Sequence, residues 1–300
     1  MFKVKIIAFS VVILALVLTR FWIIDSQKKS DLAKKTLVFN KGGQGKTTLV
    51  FLHGLLGSHR YWNPVLNQFG DGHEVIAVDL LGFGDSPKPY LEYSVADHVE
   101  YLLRTFKEAG LSNQKFILIG HSMGAILALN IANSIKGQVR GLILINPPIV
   151  TAENDLKNDL KESSSKFMVG MTFNKTWGKL ICAIHEMMPI LFYPMIRIFD
   201  PELPSEVAMD VTKHTWESFN GSLKNILQNQ RFFDLIENVS NVPILLISSK
   251  DDPYSTMGEL QNLKHRPNIE IKSVPGDHNF LLKSPKKVTD LIKQFETKIP

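Results

Sequence analysis

Residues 116–128, Phe116-Ile117-Leu118-Ile119-Gly120-His121-Ser122-Met123-Gly124-Ala125-Ile126-Leu127-Ala128, decide how the rest of this 300-residue chain is read. Four consecutive apolar residues, Phe116 to Ile119, read as a buried strand, and the apolar run that opens at Gly124 reads as a helix. The turn between them falls on Ser122. Gly120 and Gly124 flank it at i−2 and i+2, where a Cβ would collide with the crossing backbone. This G-x-S-x-G elbow lifts a serine hydroxyl to the N-terminus of a helix, where backbone N–H groups favour negative charge.

On either side of the elbow, strands alternate with helices. HGLLGS, residues 53–58, leaves a short apolar strand, and the flexibility of Gly54 and Gly57 lets a main-chain N–H turn towards the space above Ser122. EVIAVD (74–79) is another strand, followed by a glycine-rich turn that Asp79 and Ser86 fix by hydrogen bonds. Ser94 opens a helix with apolar residues at Val95, Val99, Leu102, Leu103 and Phe106, and Gly110 stops it. Further strands end at Asn146, at Ser248 and at Val274. Most are unbroken apolar runs, as expected of a parallel sheet covered on both faces. The fold class is α/β, a doubly wound, mostly parallel sheet. Residues 36–148 and 241–300 form its core, and residues 149–240, rich in Met, Phe, Trp and Ile, form an inserted helical lid over the carboxyl ends of the strands. Within the lid, residues 177–199 are conspicuously apolar, though Pro189 and Pro194 break the run. That stretch reads either as ordinary lid core or as a greasy acyl-binding or membrane-dipping surface.

Composition sets outer bounds. A hydrophobic content of 44% supplies a full core. The single cysteine, Cys182, forbids an intrachain disulfide and reads as a buried thiol. The net charge of +5 comes from scattered lysines, which suits an anionic membrane surface and not nucleic acid. Residues 6–24 are apolar apart from Arg20, enough for about 28 Å of helix. Residues 1–25 therefore read as an N-terminal membrane anchor and 26–35 as a polar linker. A cleaved signal peptide is the rival, but no small-x-small site follows Leu18. Arg20, Lys28, Lys29, Lys34 and Lys35 outnumber Lys3 and Lys5, which turns the larger domain towards the cytoplasm.

A second glycine-rich segment, KGGQGKTT (41–48), matches a deviant Walker A motif, in which Lys46 would hold a phosphate. Such a loop works only where it opens a helix, and a β run ending in His53-Gly54 comes next instead. The segment reads as the turn of a hairpin between residues 37–40 and 49–52.

From residue 36 onward the chain resembles the α/β-hydrolases, and within them the monoacylglycerol lipases and related serine esterases, whose elbow commonly reads GHSMG as residues 120–124 do. The resemblance implies Ser122 as nucleophile, Asp252 as acid and His278 as base, in the family order. It also implies an oxyanion hole from the backbone N–H groups of Leu55 and Met123. The family often has Gly where this chain has Ser249, and counting from that turn favours Asp252 over Asp251. Some relatives carry the acid after the preceding strand, where Asn146 stands and cannot bear the charge. The implied activity is hydrolysis of carboxylic esters of lipids or other apolar acyl groups through an acyl-enzyme. A thioester, an amide or a C–C substrate, or a ligand-binding relative that does not turn over, is left open. His53 and His121 read as loop-fixing residues. No cofactor, no obligate protein partner and no metal is implied, because no Cys, His and carboxylates cluster at metal spacing.

Overall fold

Alternate residues of a strand face opposite sides, so a run without polar positions must be covered twice. The computed structural model, which describes Thr19 and residues 35–70, 72–149, 174–199, 201–229, 232–255 and 257–299, shows how this is done. Strands β1 (Phe39–Gly42), β2 (Thr47–Leu52), β3 (His73–Val78), β4 (Phe116–His121), β5 (Val139–Ile145), β6 (Ile244–Ser249) and β7 (Ile269–Val274) form one sheet in the order β1-β3-β2-β4-β5-β6-β7. All pairs are parallel except β1 with β3. Val50, Leu52, Leu118, Leu142 and Leu144 enter one core, and Leu49, Phe51, Ile117, Ile119, Ile143 and Ile145 the other.

Helices α1 (Val95–Glu108) and α2 (Met123–Ser134) cover the first face. Helix α1 begins as expected: Ser94 accepts from the Asp97 N–H, and the Asp97 carboxylate accepts from the Ser94 N–H. The second face receives Val288, Leu291, Ile292 and Phe295 of the C-terminal helix Pro285–Glu296, together with Trp62 and Val65. Ser86 and Asp79 knit their loop as expected. The Ser86 hydroxyl donates to the Asp79 carbonyl at 2.6 Å, and the Asp79 carboxylate accepts from the Asp85 N–H at 2.7 Å.

One pairing differs from expectation. Residues 37–52 do not form a hairpin, because β1 lies antiparallel to β3 and β2 sits on the far side of β3. The reason is the loop between them. A Cβ on Gly45 would lie 1.9 Å from the Gly72 carbonyl carbon, and one on Gly43, whose φ is +72°, would lie 2.0 Å from the His73 oxygen. The glycines thus press the loop over the start of β3 and carry β1 one strand further out. The hydrogen-bonded side chains agree: Lys41 pairs with Glu74 at 2.8 Å, and Thr48 donates to the same carboxylate at 3.0 Å.

Between β5 and β6 the described residues form helices and no strand. These include α3 (Lys175–Met187), α4 (Tyr193–Phe199), α5 (Ser205–Asp210), α6 (Trp216–Ser222) and a π-helical turn at Leu223–Gln228. Among the described residues no single helix is long and apolar enough to cross a membrane. The pair Lys175–Met187 and Pro189–Ile198, bent by 107°, passes by length and composition only. The anchor and the linker expected within residues 1–35 lie outside the described residues, save Thr19 and Lys35.

Candidate active site

Ser122 stands between β4 and α2 with φ 53° and ψ −121°, a conformation a side-chain-bearing residue adopts only under constraint. The constraint is visible on both sides. A Cβ on Gly120 would lie 2.3 Å from the Gly124 oxygen, and one on Gly124 would lie 2.3 Å from the Leu52 oxygen. The Ser122 N–H donates to the Ile145 carbonyl at 2.9 Å, which ties the turn to the end of β5. Met123 is the first residue of α2, so its N–H has no acceptor within the helix.

Asp252 and His278 leave the carboxyl ends of adjacent strands, β6 and β7. The His278 imidazole meets the buried Asp252 carboxylate, Nδ1 to Oδ2, at 2.9 Å, and the other Asp252 oxygen accepts from the Tyr254 N–H at 2.8 Å. Asp251 is exposed, and its N–H is used by the Gly276 carbonyl at 3.0 Å. The carboxylate beside the imidazole is thus Asp252. Asn146, buried at the end of β5, takes a different part: its amide donates to Ser249 at 2.8 Å and to the His278 carbonyl at 3.0 Å. His121 donates from Nε2 to the same carbonyl at 2.9 Å, while its ring stacks on Tyr61. Burial, reinforced by His278 nearby, holds His121 well below the ordinary imidazole value, so it stays neutral and fixes the backbone of His278.

The HGLLGS loop closes the other side. A Cβ on Gly54 would lie 3.1 Å from the Ser122 Cβ, a contact tight enough that the serine or the loop would have to give by a few tenths of an ångström. His53, fully buried, accepts the Leu80 N–H at Nε2 over 2.9 Å and faces the Gly54 carbonyl with Nδ1 over 2.7 Å, which fixes its tautomer and the loop. Gly54, Leu55, Ser122, His278, Leu223 and Leu227 border a common cleft of about 150 Å³. Leu223 and Leu227 come from the π-helical turn, so the helical segment supplies one apolar wall. A second link joins that segment to the HGLLGS loop: the buried Asp210 of α5 accepts from Ser58 at 2.5 Å and from Arg60 at 2.9 Å.

Outside the cleft, the structure corrects one sequence expectation. Cys182 is buried as expected, and burial pushes its thiol up to about 12, but it does not stand apart from other metal-binding side chains. His185 and His214 are buried beside it, with one ligand atom of each of the three residues within 4.8 Å of the others. The Cys182-x-x-His185 spacing signals the first pair. His214 comes from another element, and nothing near Cys182 in sequence announces it.

A family model for the alpha/beta hydrolase fold matches residues 47–170. A protein of Arabidopsis thaliana named probable lysophospholipase BODYGUARD 5 is 29% identical over 80% of this chain and 59% of its own length, so the chain spans well under two thirds of that relative. A Rattus norvegicus protein named 1-acylglycerol-3-phosphate O-acyltransferase ABHD5 is 32% identical over 37% of this chain and 32% of its own length. Among solved structures, a thermophilic esterase from Thermogutta terrifontis superposes with a TM-score of 0.67 at 21% identity, covering 87% of this chain and 93% of that one. Sheet, elbow and family match together give this chain the α/β-hydrolase fold.

Proposed function

We propose that this chain is a serine hydrolase of lipid esters, cleaving an apolar acyl group through an acyl-enzyme. The observation that carries the reading is the Asp252–His278 pair at 2.9 Å on the cleft that Ser122 also borders. In this mechanism the Ser122 oxygen attacks the ester carbonyl carbon as His278 Nε2 takes its proton. Asp252 holds the imidazole in the tautomer that presents Nε2 and stabilises the imidazolium. The N–H groups of Leu55 and Met123 receive the developing oxyanion, each worth roughly 3–4 kcal/mol. His278 returns the proton to the leaving alcohol, and water then releases the acid by the same steps in reverse order of partners.

Three observations support an apolar substrate. Leu55, Leu223 and Leu227 border the cleft. The bent pair of α3 and the following turns exposes Trp177, Ile190, Leu191 and Ile198, a rim suited to a lipid surface. The segment at residues 6–24 has the length and composition of a membrane anchor. The name of the Arabidopsis relative agrees with a single-chain phospholipid as substrate.

The purified full chain should release free fatty acid from a lysophospholipid or a monoacylglycerol in preference to short water-soluble esters and thioesters. No turnover of any member of that panel would end the proposal. The acyltransferase name of the Rattus relative favours a second acceptor, an alcohol in place of water. Following a labelled acyl chain into free acid or into a second lipid separates the two.

A further inference from the structure

Cys182 and His185 lie one turn apart on α3, and His214, between α5 and α6, completes a group of three. All three are more than nine-tenths buried. The Cys182 sulfur lies 3.6 Å from His214 Nε2. Metal–sulfur and metal–nitrogen bonds of about 2.3 and 2.0–2.1 Å at a tetrahedral angle set such atoms roughly 3.5 Å apart, so this edge of a coordination polyhedron is already formed. His214 Nδ1 faces the Val211 carbonyl at 2.8 Å, which places the proton on Nδ1 and leaves the Nε2 lone pair towards the sulfur. That outward bond to a carbonyl is how ligating histidines are held in orientation. On the third side, the His185 ring lies 4.4 Å from that of His214, centroid to centroid, and its Nδ1 is buried with no partner. A buried imidazole nitrogen left unpaired costs stability unless something else satisfies it.

We propose that Cys182, His185 and His214 bind one zinc-like divalent cation. One soft thiolate and two imidazoles suit Zn²⁺, with water in the fourth position. On binding, the Cys182 S–H bond is exchanged for a sulfur–metal bond and one proton passes to solvent; no electron moves. The site borders no part of the Ser122 cleft, so its effect is structural. It staples α3 to residues 211–214, next to Asp210, whose carboxylate holds Ser58, at the end of the HGLLGS loop, and Arg60, just after it. The metal therefore fixes the helical segment against the loop that flanks the serine.

Cys182 is the only cysteine in the chain, which makes the test unambiguous. Chelator-treated full-length protein is titrated with Co²⁺ and its absorption spectrum followed. The expected result is a thiolate-to-cobalt charge-transfer band that saturates at one equivalent, is removed by added Zn²⁺ and is lost in Cys182→Ser. His185→Gln and His214→Gln should each weaken Co²⁺ binding by about tenfold or more. Absence of the band in the unsubstituted protein overturns the proposal whether or not the variants fold, and so does Co²⁺ binding that leaves the thiolate band out.

Discussion

Strand β2 carries a glycine-rich loop at each end, and the two have opposite roles. At its amino end, residues 44–46 border an open, charged cavity of about 600 Å³ lined also by Glu74, Lys115 and Arg140. At its carboxyl end, HGLLGS borders a smaller cleft of about 150 Å³. The larger cavity has phosphate-like lettering but leads into a strand, so no helix N-terminus backs it. The smaller cleft has α2 behind it and two loops from β6 and β7 converging on it. Glycines bring the backbone close at both ends: Gly45 so close to the β3 turn that a Cβ is excluded, Gly54 to within tight contact of the serine itself. Architecture and candidate site are separated by the end of the sheet from which the loop departs and by whether a helix N-terminus stands behind it.

Substitutions can break this contrast. The largest effect is expected at the carboxyl end: Asp252→Asn should lower kcat about 10⁴-fold while the fold survives, whereas exposed Asp251→Asn should change it by less than about twofold. Equal losses from both would mean the imidazole is oriented by something other than the Asp252 carboxylate. The paired glycine test comes next. Gly54→Ala should reduce kcat about 10²-fold by displacing the loop from Ser122, whereas Gly45→Ala should lower the urea midpoint, by about 1–3 kcal/mol of stability, without that loss in the folded fraction.

Acid should act through the buried imidazoles, two of them in the same region and three, His98, His185 and His214, outside it. Burial lowers the His53 and His121 values, so below pH 6.5 the unfolded chain takes up protons that the folded chain refuses. Their effect is absent above 6.5 and grows as pH falls towards their lowered folded values, at up to about 1.4 kcal/mol per group per unit. Urea midpoints at pH 7.5 and 5 should fall accordingly, and a flat profile would show that these imidazoles charge freely. The smallest effect belongs to Lys46→Ala, which should leave ester turnover within about twofold. Nucleotide binding that this substitution removes would reverse the contrast between the two loops.

The sheet was legible because the runs at its centre lack polar positions: residues 116–119 and 244–247 have no face to offer water, so both faces there must be covered. Ser94 and Gly110 marked α1 by local chemistry, and the Ser122 elbow was marked by its glycines. The partner of β1 was not legible, because strand pairing depends on where a loop is pressed, and Gly45 meets Gly72 only in three dimensions. The same holds for Asp210 with Ser58 and Arg60, and for His214 with Cys182, each joining segments distant in sequence. In the sequence, Asn146 is only a position unable to carry charge. Its role in the fold, tying Ser249 to the His278 loop, needs the geometry of three strand ends.

The proposed chemistry rests on Ser122 acting as a nucleophile activated by His278 and Asp252. Incubation of the full chain with a fluorophosphonate, with peptide mass spectrometry of the product, tests this directly. One adduct per chain on Ser122 is expected, forming in step with loss of ester hydrolysis, slowed in Asp252→Asn and absent in Ser122→Ala together with turnover. Labelling at another residue, or hydrolysis that persists in Ser122→Ala, would contradict it.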